Sequence, residues 1–327
     1  MKRKLAAAVA ATVLCAATYG PTNAASPEPL LEHCRTIRMI VPYTAGGGGD
    51  VGARLLAPEM SAILAIPVQV ENVPGAGSQI GITQLSHAKP DGCTIGWTHL
   101  PAAITIYLDK SRQAAFDRKS LVPIAMYVID GGGIAVKADS PYTTLKDLIE
   151  ATKASPGTIS VSDSGVLSEG HLLLEKLTDI SGAQFNIVHG AGGAEGMADL
   201  LGGHVHAMTM NLGGANVELA KSGQIRLLAV FTDKELETYQ GVKTAFEQGY
   251  PMTSATSRAL SAPAGTPVEI IQALSAAVKK AMDAQALRDK AAKLGLSLHY
   301  LDSDETAKYW DEMENQIKPA VEAQVSK

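Results

Sequence analysis

The sequence predicts an α/β fold of two doubly wound lobes around a cleft. Short apolar strands and helical patterns alternate along almost the whole chain, as parallel α/β sheets require. Four strands empty into glycine-rich loops that open helices, in two groups near 41–50 with 73–81 and near 161–168 with 189–196. The length, 327 residues, exceeds one comfortable core and favours two domains.

The elements follow in order. Residues 1–24 read as a secretory signal: Lys2, Arg3 and Lys4, then an alanine-rich apolar run, then small residues at Thr22-Asn23-Ala24. That run is shorter than the roughly 20 residues a membrane span needs. Strands are expected at 39–41, 68–70, 94–97, 124–129, 133–136, 158–161, 205–210 and 225–231. Helices are expected at 51–64, 78–88, 144–152, 168–181, 193–201, 215–222 and 268–294. A last helix from Ser303 carries Tyr309, Trp310, Met313 and Ile317 along one face, a core-facing stripe.

The glycine loops suggest anion binding. Glycine lets amides face a ligand, and a helix start leaves N–H groups unpaired beside a partial positive charge. The loops 44–50 and 74–81, side by side, would hold a carboxylate or phosphate without lysine or arginine. Losing three of 28 basic residues with the signal, and none of 33 acidic ones, takes the net charge from -5 to about -8. With no basic cluster longer than a pair, nucleic acid is excluded as a partner.

Cys34 and Cys93 remain after cleavage, an even count in an oxidising compartment. In a doubly wound sheet the third strand lies beside the first, so a Cys34–Cys93 disulfide is expected. Two separate buried thiols are the alternative. Neither a metal nor a cofactor is expected.

Val41-Pro42-Tyr43-Thr44-Ala45-Gly46-Gly47 with Asp50, Glu71-Asn72-Val73-Pro74-Gly75-Ala76-Gly77, and Lys89-Pro90-Asp91-Gly92 form a first set of motifs. Leu200-Leu201-Gly202-Gly203-His204-Val205, Asn211-Leu212, Ser222-Gly223-Gln224-Ile225-Arg226-Leu227-Leu228-Ala229-Val230 and Ala262-Pro263-Ala264-Gly265-Thr266-Pro267 follow in order. From residue 35 onward the chain thus resembles the substrate-binding proteins of tripartite tricarboxylate transporters, the Bordetella uptake gene family. The resemblance implies a type II-like periplasmic binding protein, a monomer whose lobes close on a small carboxylate and deliver it to membrane permease subunits. It implies lobe I at 35–129 plus 232–327 and lobe II at 130–231. Departures lie at Val188-His189-Gly190, Met210-Asn211 and Ser254-Ala255-Thr256-Ser257-Arg258, where family members often carry Pro-Tyr, an aspartate and an aromatic. The pocket should then be roomier and less hostile to negative charge.

Under that resemblance Thr44, Ala45 and Gly46 offer backbone donors and Tyr43 a pocket wall. Gly77, Ser78 and Gln79 hold the same or a second anionic group, and Ser78→Pro should abolish binding with the fold intact. Asp50 reads as the N-cap of the first long helix. His99, Ser164, Ser168, His189 and Asn211 complete the candidate set, His171 is balanced between pocket and structure, and Arg258 could return to the cleft as a bidentate carboxylate contact, with a solvated loop arginine the favoured reading. Enzyme readings are weaker. The Gly75–Gly81 string misses dinucleotide spacing. A secreted serine hydrolase using Ser164 lacks the Gly-x-Ser-x-Gly elbow.

Overall fold

The computed structural model describes residues 28–190, 192–214 and 216–325; the expected signal at 1–24 lies outside them. Chain order begins α1 (Glu28–Leu31), β1 (Ile37–Val41), α2 (Gly48–Leu64), β2 (Val68–Asn72), α3 (Gln79–Ser86), β3 (Thr94–Leu100), α4 (Ala102–Leu108) and β4 (Leu121–Lys137). It continues α5 (Leu145–Ala154), β5 (Ser160–Asp163), α6 (Glu169–Ser181), β6 (Asn186–His189), α7 (Gly193–Gly202), β7 (Ala207–Asn211), α8 (Asn216–Lys221) and β8 (Ile225–Val230). It ends β9 (Ala255–Pro263), α9 (Val268–Asp283), α10 (Gln285–Lys293), β10 (Leu298–Leu301) and α11 (Ser303–Val325).

Strands run in the order β2-β1-β3-β9-β4-β7-β5-β6, with β8 and β10 also pairing to β4. β1 lies parallel to both β2 and β3, which brings the strand starts of β1 and β3 together. Cys34 and Cys93 are disulfide-bonded there, with Cα atoms 5.4 Å apart.

β4 is one strand where two were expected. It pairs with β9 as far as Gly131 and with β7 from Gly132. Glycine is required at this crossing because both halves of the molecule press on it. A Cβ on Gly132 would stand 2.5 Å from Glu169 Oε1, and one on Gly133 2.7 Å from Leu212. β9 was missed because Ala255–Pro263 mixes small and polar residues without alternation, yet it is buried between β3 and β4. The helix expected over 268–294 breaks at Ala284, which is extended (φ -66°, ψ 124°). The chain folds back there to sink Leu287 and Ala291 into the core.

Helices cover both faces of each half, so each is doubly wound. One core packs β1, β3 and β4 against α2, α9 and α10, with Leu56, Met60, Trp97 and Leu274 fully buried. A second, on the opposite face, seats Trp310 of α11 against Ile104 and Leu100, as the stripe on that helix predicts. The other half has its own two cores, around Leu174 and Phe231 and around Met208 and Leu200. Among the described residues no helix is long and apolar enough to cross a membrane.

Candidate functional site

The loop after β1 is fixed from beneath by Asp50. Its Oδ2 accepts from the Gly46 amide at 2.9 Å and from Arg54 Nε at 3.0 Å, and its Oδ1 accepts from Asn72 Nδ2 at 2.9 Å. The same Asn72 amide donates to the Tyr43 carbonyl. Burial pushes the Asp50 carboxyl up, but these donors together hold it below the ordinary carboxylate range. Asp50 is therefore not the N-cap. The helix begins two residues earlier, with Gly47 in the cap position and no side-chain cap, and the carboxylate satisfies a loop amide instead. The Gly46 amide is thereby committed to Asp50. Thr44 and Ala45 stay exposed at the loop tip, and among the described residues nothing accepts from their amides.

The loop after β2 is strained. Gly75, Ala76, Gly77 and Ser78 all have positive φ, at 130°, 48°, 63° and 86°. For Ala76 and Ser78 that conformation is unfavourable, and such strain gathers at functional sites. Arg112 holds the loop: its Nη2 donates to the Ala76 carbonyl at 2.7 Å, while Gln79 Nε2 donates to the Arg112 carbonyl at 3.0 Å. Ser78 is 2% exposed, and its Oγ makes no well-formed hydrogen bond although it faces the Tyr43 phenol. Gly77 stays exposed beside Arg112.

Tyr43 stacks on His99 with ring centroids 4.3 Å apart. His99 is the penultimate residue of β3, is buried, and has an unpartnered Nε2. Burial, reinforced by the charge of Arg258, pushes its pKa well below the usual histidine value, so the ring is neutral. Arg258 is no solvated loop residue. It lies in β9 opposite both His99 and Val128, with its side chain 3% exposed. Its Nη2 donates to Asp130 Oδ2 at 2.9 Å, while Nε and Nη1 have no partner. Burial raises Asp130, and Arg258 opposes that rise.

Buried polar atoms without partners are costly, about 1–3 kcal/mol each, and native structures hold few. Here they concentrate. Of the six described residues with such side-chain atoms, Ser78, His99, Tyr127, Asp130 and Arg258 belong to one neighbourhood, and only Ser162 lies apart. Two of them, Arg258 and His99, lie against Gly48 and Gly49 at the start of α2.

The second group of predicted residues forms a separate cluster at the ends of β5 and β6. His189 Nδ1 sits 2.9 Å from Asp163 Oδ2, and His171 packs edge-on against the His189 ring. Ser164 is exposed. Ser168 is the N-cap of α6, accepting from the His171 amide at 3.2 Å. Asp163, His171 and His189 bring metal-type ligand atoms within 4.8 Å. However, the Leu167 amide donates to His171 Nδ1 at 2.9 Å, which places that ring's proton on Nε2 and makes it a donor there. Asn211 stands between the groups: its Nδ2 donates to Thr256 Oγ1 at 2.8 Å. Thr105 Oγ1 of α4 donates to the Leu167 carbonyl at 3.1 Å, and Gly214 lies against Gly48, so the two halves touch across the cleft.

Sequence reasoning missed Asp130, Arg112 and Glu169. Glu169 is buried, contacts Ser254 Oγ through Oε1, and has its pKa raised to about 7 by burial and by Asp130.

A family model for the tripartite tricarboxylate transporter family receptor matches residues 52–325. The chain belongs to that family. It is 34% identical over 289 residues to the UPF0065 protein in the gbd 5' region of Cupriavidus necator, covering 88% of this chain and 87% of that one. A TctC solute binding protein from Polaromonas superposes with TM-score 0.69 at 29% identity, over 88% of this receptor and 98% of that chain. A Rhodopseudomonas palustris protein solved with adipate gives TM-score 0.83 at 25% identity, over 89% and 97%. These likenesses agree with the two-lobed α/β fold expected from the motifs.

Proposed function

We propose that this receptor captures a small organic carboxylate outside the cytoplasm and presents it to the permease subunits of a tripartite transporter. The observation that carries the reading is the gathering of buried, unpartnered polar atoms from Ser78, His99 and Arg258 around the start of α2. A ligand carboxylate would supply the missing acceptors. Export through the segment 1–24 and a monomeric state belong to the same reading, as do the lobes 35–129 plus 232–327 and 130–231.

Thr44, Ala45, Gly46, Gly77, Ser78 and Gln79 line the first lobe's side, with Tyr43 and His99 as a wall. Ser164, Ser168, His189 and Asn211 approach from the second lobe on closure. The adipate held by the R. palustris protein sets the size of ligand to try first. The hydrolase reading has no support: among the described residues Ser164 makes no hydrogen bond to a histidine, and His189 Nδ1 faces Asp163.

A thermal-shift screen of adipate, malate, terephthalate and nicotinate against the mature protein tests this. At least one should raise the melting temperature in a concentration-dependent way, and small-angle scattering should show compaction with it. A panel with no shift, or ester turnover by the purified protein, would overturn the reading.

A further inference from the structure

The backbone-amide grip that the motifs imply does not call for the arginine in β9. Arg258 occupies a costly position. Its side chain is 3% exposed, and a buried guanidinium stays affordable only when its donors are met. A guanidinium has five N–H donors in a planar fork. Asp130 takes one, through Nη2 at 2.9 Å, and Nε and Nη1 are left with none. An arginine serving only to neutralise Asp130 would be expected to present two prongs to that carboxylate, because the paired geometry is the stronger one. This one presents a single prong and leaves Nε and Nη1 without an acceptor.

The guanidinium itself lies against the first turn of α2. A Cβ on Gly48 would stand 3.1 Å from Nη2, so glycine at this position is what lets the guanidinium lie against the helix start. Gly47, in the cap position, offers no side-chain bond. A 17-residue helix with uncapped N–H groups and a buried, half-empty guanidinium thus converge on one point. His99 Nε2 lies beside it.

Resting on the carboxylate-receptor reading above, the geometry points to Arg258 as the charged anchor of the ligand carboxylate, received at the N-terminus of α2 and oriented by Asp130. In the complex Arg258 bridges two carboxylates, that of Asp130 and that of the ligand. The extra negative charge is offset by the helix terminus. The site therefore selects a planar anionic group over a neutral isostere: an amide placed there would turn its NH2 towards a guanidinium that has only donors.

Isothermal titration of the full mature chain tests the assignment, with adipate against adipamide and malate against its diamide. Wild type should prefer each acid by 100-fold or more. Arg258→Lys, which keeps the charge and loses the fork, should weaken acid binding by 10-fold or more. Because a single neutral substitution would strand Asp130, the double variant Arg258→Gln with Asp130→Asn removes both charges, and it should lose 100-fold. Gly48→Ala leaves a helix-compatible residue and displaces Nη2, so it should fold normally and lose about 10-fold. Acid affinities within 3-fold of wild type in Gly48→Ala and in either folded arginine variant would overturn the assignment and leave the receptor reading standing. Failure of every acid, in this titration and in the wider screen, to bind wild type would remove the receptor reading and this assignment together.

Discussion

A methyl group on Gly49 would stand 2.8 Å from Cε1 of His99 and 3.0 Å from its Nε2. The second residue of α2 is thus the surface on which the buried imidazole rests, and through the Tyr43 stack it sets the proposed pocket wall. Gly49→Ala sets two effects against each other. Alanine gains about 1 kcal/mol of helix propensity, but forcing a ring out of a packed site costs about 1–3 kcal/mol. The ring is confined between Tyr43, Trp97 and Arg258, so the steric cost should win. Chemical denaturation should show a net loss of about 1–2 kcal/mol; a gain would mean that His99 is free to move.

Ser78 gives the opposite balance. At φ 86° a serine is strained by about 1–2 kcal/mol, whereas glycine is at ease there but costs up to about 1 kcal/mol of chain entropy. Ser78→Gly should leave stability unchanged or raise it by up to about 1 kcal/mol. It should also weaken adipate binding by roughly tenfold, since the unpartnered Oγ is lost. Calorimetry and titration on the same sample would check both. Ser78→Pro does not isolate the site as first expected, because proline fixes φ near -65° and would break the loop itself.

The parts of this molecule that could be read from the sequence are those with local causes. The loop from Thr44 to Asp50 announces itself by its glycines, and two of them are explained by single contacts, Gly48 with Arg258 and Gly49 with His99. The Cys34–Cys93 bond followed from which strands must be neighbours. Arg258 was misread because its meaning lies in Asp130, 128 positions away in sequence and one strand over in space. A lone arginine among small residues carries no sign of burial. Asp50 was placed at the helix boundary because acidic residues prefer that position, while its actual partners, Asn72 and the Gly46 amide, are set by the β1–β2 pairing.

Glu169 makes stability depend on pH. Burial raises its carboxyl from an ordinary 4.5 to about 7, with Asp130 adding to the rise and Ser254 opposing it. The folded state therefore keeps a proton that the unfolded chain releases. Stability from this group is full below about pH 4.5, falls as pH rises through 7, and is gone above it. A shift from 4.5 to about 7 corresponds to at most about 3 kcal/mol. Glu169→Gln, close in size and permanently neutral, should stabilise the protein by about 1–3 kcal/mol at pH 8 and hardly at all at pH 4.5. Equal effects at the two values would mean that Glu169 is ionised when folded.

The disulfide offers a test that separates stability from binding. Cys34 and Cys93 lie 59 residues apart in sequence and tie the beginnings of β1 and β3. Constraining a loop of that length in the unfolded chain is worth about 4 kcal/mol in the chain-entropy account. The double change Cys34→Ser with Cys93→Ser should therefore lower unfolding stability by about 2–4 kcal/mol, read as a lower denaturant midpoint. The loops proposed to face the ligand leave the opposite ends of these strands, and five residues of β1 and seven of β3 separate them from the bond. Affinity for adipate, measured well below the new melting temperature, should stay within twofold of wild type. A large loss of affinity would show that the strand starts control how the Tyr43 and His99 wall is set.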